Sequence, residues 1–300
     1  MKSIHDHAPA ARPPAVVDAA ANAAFRAQAA AMGYDPDDRW VGGYVPVAWE
    51  EARHLIAAYA GDVTGAALLE FGCNYAATSI VAAAMGARVT GVDVDADAIA
   101  LARCNAARHG FADRIELCHV ADTRRLPFDD ASFDIILCIS VLEYVAPDHL
   151  PAVLAELARV LKPGGLMIVS GTASRLAPRE VHSGRWLVNY WPRALDRRLL
   201  RRDVPLQRGV NPLPILRAFR DWENLDLTDR GARWCAARAA MGQSAAKLKA
   251  ARLIARLTSL FGLSIGMAGS SFSATWRKPS KAMNATPQCP REGRSTRPFP

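Results

Sequence analysis

Short apolar runs alternate with longer stretches of helical periodicity through the middle of the chain. The apolar runs predict five strands, at Ala66–Phe71, Arg88–Asp93, Arg114–Val120, Phe133–Ser140 and Gly165–Gly171. Between them, the helical pattern predicts helices at Ala76–Met85, Ala96–His109 and His149–Leu161. Strands without a polar side are expected to be covered on both faces. The alternation of strand and helix therefore predicts an α/β fold with a doubly wound, mostly parallel sheet.

Helical patterns also precede this alternating region. They predict helices at Ala15–Met32 and Val47–Tyr59. The segment between them, Trp40–Pro46, contains a glycine pair and a proline, which interrupt a helix. An aromatic-flanked glycine pair beside a core is typical of a lid over a binding site, and equally of a loop packed on the core.

The C-terminal third predicts an insertion followed by closing elements. Residues 172–245 are dense in Arg, Trp and Pro and predict an inserted cap. The segment Lys247–Phe261 predicts an amphipathic helix, for which we favour packing on the sheet over binding to a membrane surface. The alternating segments Leu263–Met267 and Ser271–Trp276 predict an antiparallel strand pair that completes a seven-stranded sheet.

These patterns predict a single domain over residues 15–278. Its predicted parts are an N-terminal helical lid (15–62), a core (63–171), an inserted cap (172–245), and a closing helix and strand pair (246–278). The ends, residues 1–14 and 279–300, lack apolar periodicity and predict a disordered leader and a disordered tail.

Composition and charge limit the class of protein and the kinds of partner that are expected. With 51% hydrophobic and 22% charged residues, the chain has ordinary globular usage. The formal net charge is +8, and the residues after Trp276 contribute six cations and one acid. A second basic stretch contains five arginines between Pro192 and Asp203. We interpret that stretch as a solvated helix face, because no RNA-binding motif accompanies it, and nucleic-acid contact is not expected.

The cysteines and the apolar runs indicate a compartment. Six cysteines are scattered without a C-x-x-C pair or metal-ligand spacing, as expected for buried thiols in a reducing compartment. Apolar runs of the length needed to span a membrane are missing from the sequence. The sequence therefore predicts a soluble cytoplasmic protein.

A turn and three acidic residues indicate a ligand site in the core. The first strand ends at Glu70 and turns through Gly72 into a helix, an arrangement that exposes backbone N–H groups to a ligand. Asp93 ends the second strand at a spacing suited to binding ribose hydroxyls, and Asp122 follows the third strand. Ligands of doubly wound sheets bind at these carboxyl ends, so the three acids predict a cofactor site.

Three further segments decide between a nicotinamide-binding domain and another class of cofactor domain. They are Asp122–Asp134, Ile139–Val145 and Arg159–Gly165. Together with the glycine turn they resemble the class I S-adenosylmethionine-dependent methyltransferases, in particular the small-molecule group called methyltransferase type 11. The resemblance covers about Leu68 to Ser170 and implies a Rossmann-like fold with S-adenosyl-L-methionine as cofactor.

The resemblance also implies roles for individual residues. The turn, including Glu70, Gly72 and Asn74, would hold the methionine part of the cofactor. Asp93 would bind the ribose hydroxyls and Val94 would pack on the adenine. Asp122 and the Thr123 backbone N–H would bind the adenine edge, while Ile139 and Ser140 would border the sulfonium and the acceptor.

The chain departs from the family pattern in two places. The family turn commonly has glycines where this chain has Asn74 and Ala76; Asn tolerates positive φ and Ala is small, so we expect the turn to survive. Some quinone-pathway members carry an acid at the position of Ser140 that completes a metal site. The resemblance therefore implies no metal here and no quinone-pathway role.

The function predicted from these features is methyl transfer by in-line displacement to a small or medium organic acceptor. The sulfonium already activates the methyl group, so positioning matters most, and a general base is needed if the acceptor is a hydroxyl. The candidates for that base are Glu143, Tyr144, His54 and His182. The alternatives are a non-catalytic S-adenosylmethionine-binding protein and an RNA-modifying or membrane-associated methyltransferase.

Overall fold

The computed structural model describes residues 12–192, 208–267 and 269–280. The predicted leader up to residue 11, the arginine stretch within 193–203 and the tail from residue 281 lie outside the described residues.

The fold is organised around one seven-stranded sheet. Its strands are β1 (Ala67–Phe71), β2 (Arg88–Asp93), β3 (Ile115–His119), β4 (Phe133–Ile139), β5 (Leu161–Ala173), β6 (Glu223–Asn224) and β7 (Ser271–Arg277). Their order is β3-β2-β1-β4-β5-β7-β6, with β1 to β5 parallel and β7 antiparallel to both of its neighbours. The predicted doubly wound, mostly parallel sheet with a C-terminal antiparallel pair is confirmed. The strand order reverses between β1 and β4, which is where such sheets bind ligands.

Helices connect and cover these strands. Within the described residues they are α1 (Ala19–Ala31), α2 (Tyr44–Ala60), α3 (Ala77–Ala84), α4 (Ala96–Arg108), α5 (Leu150–Val160), α6 (Pro212–Ala218), α7 (Leu225–Thr228), α8 (Ala232–Ala240) and α9 (Ala245–Ser259). Short 3-10 turns lie at Leu142–Tyr144 and Ile265–Met267. The three predicted core helices are each observed within two residues of their predicted ends.

Successive residues of the central strands enter two separate cores. Leu68 packs in the core beneath α2, α3 and α4, whereas Leu69 packs in the core beneath α5 and α6. Ile135 and Ile136 of β4 divide in the same way. Because side chains alternate across a strand, a strand buried on both faces needs an unbroken apolar run. This alternation explains why the apolar runs located the strands.

The glycine pair at 42–43 lies in a packed turn. A Cβ on Gly42 would lie 1.8 Å from the Pro36 carbonyl oxygen, so only glycine permits this approach. The Gly42 carbonyl accepts a hydrogen bond of 2.8 Å from the buried guanidinium of Arg108 on α4. Helix α2 begins at Tyr44, three residues before its predicted start, because Pro46 lies in the first turn, where its missing N–H is not needed.

The predicted C-terminal strand pair is wrong in its first member. Residues Ile265–Met267 form a 3-10 turn, and the antiparallel neighbours of β7 are β5 and the two-residue strand β6. The backbone at Gly266 lies directly against β7, since a Cβ there would be 1.7 Å from the Ser273 carbonyl oxygen. Because β6 lies at 223–224, the segment 172–245 is also not purely an insertion outside the sheet.

Helix α9 does not pack on the sheet as we predicted. Its principal neighbours are α8 and the 3-10 turn at Ile265–Met267. Within the helix only Leu248 and Ala255 are buried. Most of its apolar side chains face outward, because α8 and the turn lie on the side that Leu248 and Ala255 occupy.

Candidate active site

The turn between β1 and α3 adopts a left-handed backbone at every second residue. The φ angles are 77° at Gly72, 46° at Asn74 and 59° at Ala76. The Asn74 N–H donates a hydrogen bond of 2.8 Å to Oδ2 of Asp93, which joins the turn to the end of β2. The substitutions at positions 74 and 76 therefore preserve the glycine-type conformation of the turn.

Gly72 is required by its contact as well as by its φ angle. A Cβ at this position would lie 2.2 Å from a methyl carbon of Val141, in the loop after β4. The turn and this loop thus approach each other at the strand-order reversal. Any side chain at position 72 would therefore push the turn and this loop apart.

A cavity of about 560 Å³ opens on one side of Gly72. Of the predicted cofactor-binding residues, its wall includes Gly72, Asp93, Val94, Asp122 and Thr123. These residues come from the ends of β1, β2 and β3, which the parallel topology brings to one edge of the sheet. Asn74 is not part of the wall and reaches it through its hydrogen bond to Asp93. We call this space the larger cavity.

Asp122 already has a strong partner within the wall of the larger cavity. Both of its carboxylate oxygens accept hydrogen bonds from Arg124, at 2.9 and 2.8 Å. These hydrogen bonds, and one from the Arg124 backbone N–H, lower the pKa of Asp122 to about 2. The carboxylate is therefore ionised and held in place at neutral pH, with lone pairs left for a ligand.

Glu70 does not face the larger cavity. Its side chain is buried and accepts a hydrogen bond from the Ser79 hydroxyl in the first turn of α3. Burial raises the Glu70 pKa to about 8, although hydrogen bonds from Ser79 and Thr78 oppose the shift. Its position indicates that Glu70 stabilises the start of α3, directly after the glycine turn.

A second cavity, of about 260 Å³, lies on the other side of the β4 end and is called the smaller cavity. Ile139 and Ser140 line it, whereas the next residue, Val141, lines the larger cavity. The two spaces are thus adjacent along the chain. The remaining wall combines aromatic and apolar residues with one acid, one cation and five Ser or Thr residues, and it includes Trp40, Tyr44, Glu51, Tyr59, Trp234 and Arg238.

Two of the four predicted general-base candidates lie together. The Tyr144 hydroxyl and His182 Nε2 are 3.2 Å apart, and Tyr144 also lines the larger cavity. On the other side of the ring, His182 Nδ1 lies 2.7 Å from Oε1 of Glu180, whose side chain is 1% exposed. Burial raises the Glu180 pKa, but hydrogen bonds from His182 and Ser183 outweigh it, so the pKa is lowered overall and the carboxylate is ionised.

The ionised carboxylate fixes the orientation of the His182 ring. Because ionised Glu180 only accepts hydrogen bonds, Nδ1 of a neutral His182 carries the proton and donates it to Glu180. Nε2 then accepts a hydrogen bond from the Tyr144 hydroxyl. This arrangement of tyrosine, histidine and glutamate can take up a proton at Nε2.

The other two base candidates lie elsewhere. Glu143 is buried and accepts a hydrogen bond of 3.2 Å from the Ala173 N–H, and burial raises its pKa. It therefore fastens the 3-10 turn after β4 to β5. His54 lies on α2 and lines neither cavity, and burial lowers its pKa.

Comparison with known protein families identifies the core. A family model described as a methyltransferase domain matches residues 69–169. Residues 69–169 therefore form a methyltransferase domain of the class I type. The matched segment begins in β1 and ends in β5, so it contains the glycine turn, Asp93, Asp122 and the β4 loop.

Similar curated methyltransferases differ in the acceptors that they are named for. A ubiquinone biosynthesis O-methyltransferase of Maricaulis maris is 29% identical over 177 residues, covering 56% of this chain and 68% of that protein. A sterol 4-C-methyltransferase of Caenorhabditis elegans is 35% identical over 34% of this chain and 29% of that protein. A ribosomal protein L11 methyltransferase of Aeromonas hydrophila is 35% identical over 42% of this chain and 40% of that protein. The chain thus spans about half the length of the curated relatives it matches.

Solved structures align over parts of the chain. The PH0226 protein from Pyrococcus horikoshii is 30% identical, with a TM-score of 0.37, over 40% of this chain and 54% of that one. The YcgJ protein from Bacillus subitilis is 17% identical, with a TM-score of 0.48, over 76% of this chain and 98% of that one.

Sequence analysis missed several residues in and beside the two cavities. Arg124 adjoins Asp122, and its spacing could have suggested the ion pair. Glu180 stands two residues before His182, which is a detectable acid–histidine pair. The α8 residues Trp234 and Arg238 are far in sequence from the core, and their place in the smaller cavity depends on tertiary packing.

The described residues contain neither a candidate metal site nor a helix that could span a membrane. Within residues 12–192, 208–267 and 269–280, no group of three His, Cys, Asp or Glu side chains is placed to hold a metal ion. The prediction of no metal stays a prediction. None of the helices in the described part of the chain has the length and apolar character that crossing a membrane requires.

Proposed function

We propose that this methyltransferase-family protein binds S-adenosyl-L-methionine in the larger cavity and transfers its methyl group to a small or medium organic acceptor in the smaller cavity. The observation that carries the proposal is the left-handed turn at Gly72, Asn74 and Ala76, closed by the hydrogen bond from Asn74 to Asp93. Gly72 lets the turn pack against Val141 of the loop after β4, where a Cβ would lie 2.2 Å from a methyl carbon. These features fit an elongated cofactor with its ribose at Asp93 and its reactive group near Gly72 and Val141.

The wall residues suit the parts of this cofactor. Asp93 would accept hydrogen bonds from the ribose hydroxyls, and the exposed side chain of Val94 would pack on the adenine. Asp122 and the Thr123 backbone N–H would bind the adenine edge. The backbone of the turn at Gly72 would hold the methionine part beside Val141, and Ile139 and Ser140 would border the acceptor.

The protein's contribution to the reaction is mainly positioning. When bound, the cofactor supplies an activated methyl group that an acceptor atom can displace in line. Tyr44, Trp40 and Trp234 would surround the acceptor and exclude water, which favours displacement by the acceptor over hydrolysis. In this arrangement the segment 15–62 serves as a lid, and residues of 172–245 determine which acceptor fits.

An acceptor that loses a proton needs a base near the cavities. We assign that role to His182, with Glu180 as the residue that positions its ring and Tyr144 at the rim of the larger cavity. His182 itself lines neither cavity and reaches the wall of the larger one through Tyr144. Glu143 and His54 are not used as bases in this proposal, because Glu143 binds the β5 backbone and His54 has no hydrogen bond to a described residue of either wall.

We place this activity in the cytoplasm. The five described cysteines are all free thiols, which suits a reducing compartment.

The function is tested by methyl transfer from radiolabelled S-adenosylmethionine to a panel of aromatic alcohols, amines and lipids with different head groups. The parent protein, Asp93→Ala and Asp97→Ala are compared, since Asp97 is exposed on α4 and outside both cavities. We expect transfer by the parent and Asp97→Ala to at least one acceptor, and a large loss in Asp93→Ala. Cofactor binding without transfer to any acceptor would favour the non-catalytic alternative.

A further inference from the structure

Helix α9 exposes an apolar surface that the proposed methyl transfer does not use. Leu257, Leu260 and Phe261 are 53%, 78% and 80% exposed, and Leu253 and Ile254 are also exposed. In the helix itself only Leu248 and Ala255 are buried, and they face α8 and the 3-10 turn. At 3.6 residues per turn, Leu253, Ile254 and Leu257 fall within about 100° on the side opposite Leu248. The exposed Leu260 and Phe261 follow in the turn after the helix ends at Ser259, and we include them with this side. We call this side the outer face of α9.

Positive charges border the outer face on both sides. Lys249 and Arg256 lie along one edge and Lys247 along the other, and all three are exposed. Arg252 lies closer to the packed side and is exposed as well. The sequence from residue 244 to residue 263 contains no Asp or Glu. Whatever covers the outer face must therefore be apolar in the middle and negatively charged at its edges.

This charge pattern disfavours two occupants from the chain itself. A second copy packed face to face would bring the cations of two helices together without an acid from either helix to pair with them. The two long segments outside the structure, 193–207 and 281–300, each carry more Lys and Arg than Asp and Glu. Their like charge opposes docking on α9.

We propose that the outer face of α9 binds the surface of an anionic lipid bilayer. A helix with a central apolar strip and flanking cations can lie flat, with the apolar side chains among the acyl chains and the cations beside the head-group phosphates. The four basic residues add attraction to anionic lipids. The helix would lie along the surface, since no described helix can span a membrane.

The position of α9 has a consequence for the smaller cavity. Helix α8 packs against α9 and contributes Trp234, Ala237 and Arg238 to the cavity wall. Binding through α9 would bring this wall close to the lipid, so a lipophilic acceptor could enter from the membrane. This consequence rests on the proposed function, whereas the binding of lipid does not.

The test is co-sedimentation of the full chain with vesicles, either of phosphatidylcholine alone or with one-fifth phosphatidylglycerol. We expect binding to the anionic vesicles only, and release at high salt because the cations are exposed. The double variant Leu257→Gln/Phe261→Ser and the double variant Lys249→Gln/Arg256→Gln should each weaken binding at least about tenfold. Leu213→Gln is the matched control, because Leu213 is an exposed apolar residue on α6.

Three results would overturn the proposal. One is an unchanged affinity in both double variants while their unfolding temperatures match that of the parent. Another is loss of binding when residues 281–300 are removed, which would assign it to the tail. The third is a parent dimer, seen by sedimentation velocity, that Leu257→Gln/Phe261→Ser dissociates. Cofactor titration of the same variants reports on the larger cavity separately.

Discussion

Asn74 and Ala76 hold backbone conformations that L-residues other than Asn and Asp rarely adopt. Asn74 is exposed, and its N–H is fixed by Asp93, so the conformation is maintained by the hydrogen bond and by the turn around it. Sequence analysis could predict that this turn survives, because the tolerance of Asn for positive φ is a local property. It could not predict that Gly72 would contact Val141, a residue from another loop.

The turn gives a direct prediction for position 74. Asn74→Val should lower the free energy of unfolding by about 1–2 kcal/mol, because a β-branched residue is poorly accommodated at positive φ. Asn74→Gly keeps the backbone N–H and relaxes the turn, so we expect stability close to that of the parent. Urea unfolding of both variants checks this, and equal stability of the valine and glycine variants would contradict it.

The His182 assignment is also tested at the residue scale. For an acceptor that loses a proton, His182→Gln should lower kcat by about 10²- to 10⁴-fold and remove the acidic limb of the pH–rate profile. Tyr144→Phe keeps the pair of His182 and Glu180, so its pH–rate profile should retain that limb. Rates are measured with the acceptor found in the radiolabel assay. An unchanged pH profile in His182→Gln would contradict the assignment.

Helices and strands in the core were predictable because their patterns are local. β1, β2 and β4 are apolar runs, and α4 and α5 have helical periodicity. The C-terminal hairpin was mispredicted because Leu263–Met267 alternates like a strand, while its conformation depends on close packing against β7. The two-residue strand β6 is too short to leave a sequence pattern.

The packing of the 3-10 turn on β7 can be tested with paired glycine substitutions. Gly266→Ala should destabilise the protein by about 1–3 kcal/mol, because its Cβ would meet backbone atoms of Ser273 that cannot move aside easily. Gly269→Ala is the control, since the nearest atom to its Cβ would be 3.5 Å away. Chemical unfolding measures both variants. A similar stability for the two would show that the turn does not pack closely on β7.

A buried acid makes the stability of the whole molecule depend on pH. The Glu70 pKa is raised by burial to about 8 from an ordinary value of 4.5, so the folded state binds this proton more tightly than the unfolded state. The stabilisation is complete below the unfolded pKa and is lost as pH rises through the folded pKa. Between pH 5 and pH 7 this group alone should lower the free energy of unfolding by about 1.4 kcal/mol per pH unit.

The difference between Glu70→Gln and the parent isolates this contribution from that of other groups. Gln keeps an oxygen that can accept the hydrogen bond from Ser79, but its side chain does not titrate. The free energy of unfolding of Glu70→Gln should therefore fall less than that of the parent as pH rises from 5 to 7. Glu116→Gln, at an exposed position on β3, should behave like the parent. Urea unfolding at several pH values gives the slopes. Parallel slopes for all three proteins would mean that Glu70 is not protonated in the folded state.

At the scale of the whole molecule, the core could be predicted from sequence better than the wall of the smaller cavity could. The placement of Asp93 and Asp122 in one cavity wall could be predicted from sequence because strand ends converge in a parallel sheet. Trp234 and Arg238 could not, since their approach to Ile139 depends on how α8 packs against α2. Under the proposed function, the acceptor would be selected by the part of the molecule that is hardest to predict from sequence, and the cofactor would be bound by the part that is easiest to predict.

The central claim, that the larger cavity binds S-adenosylmethionine, is tested most directly by calorimetric titration. The parent and Asp93→Ala are each titrated with S-adenosylmethionine, S-adenosylhomocysteine and NAD. The account predicts one-to-one binding of the first two by the parent, clear weakening in Asp93→Ala, and no binding of NAD. Binding of NAD in place of the methionine-containing ligands would contradict it.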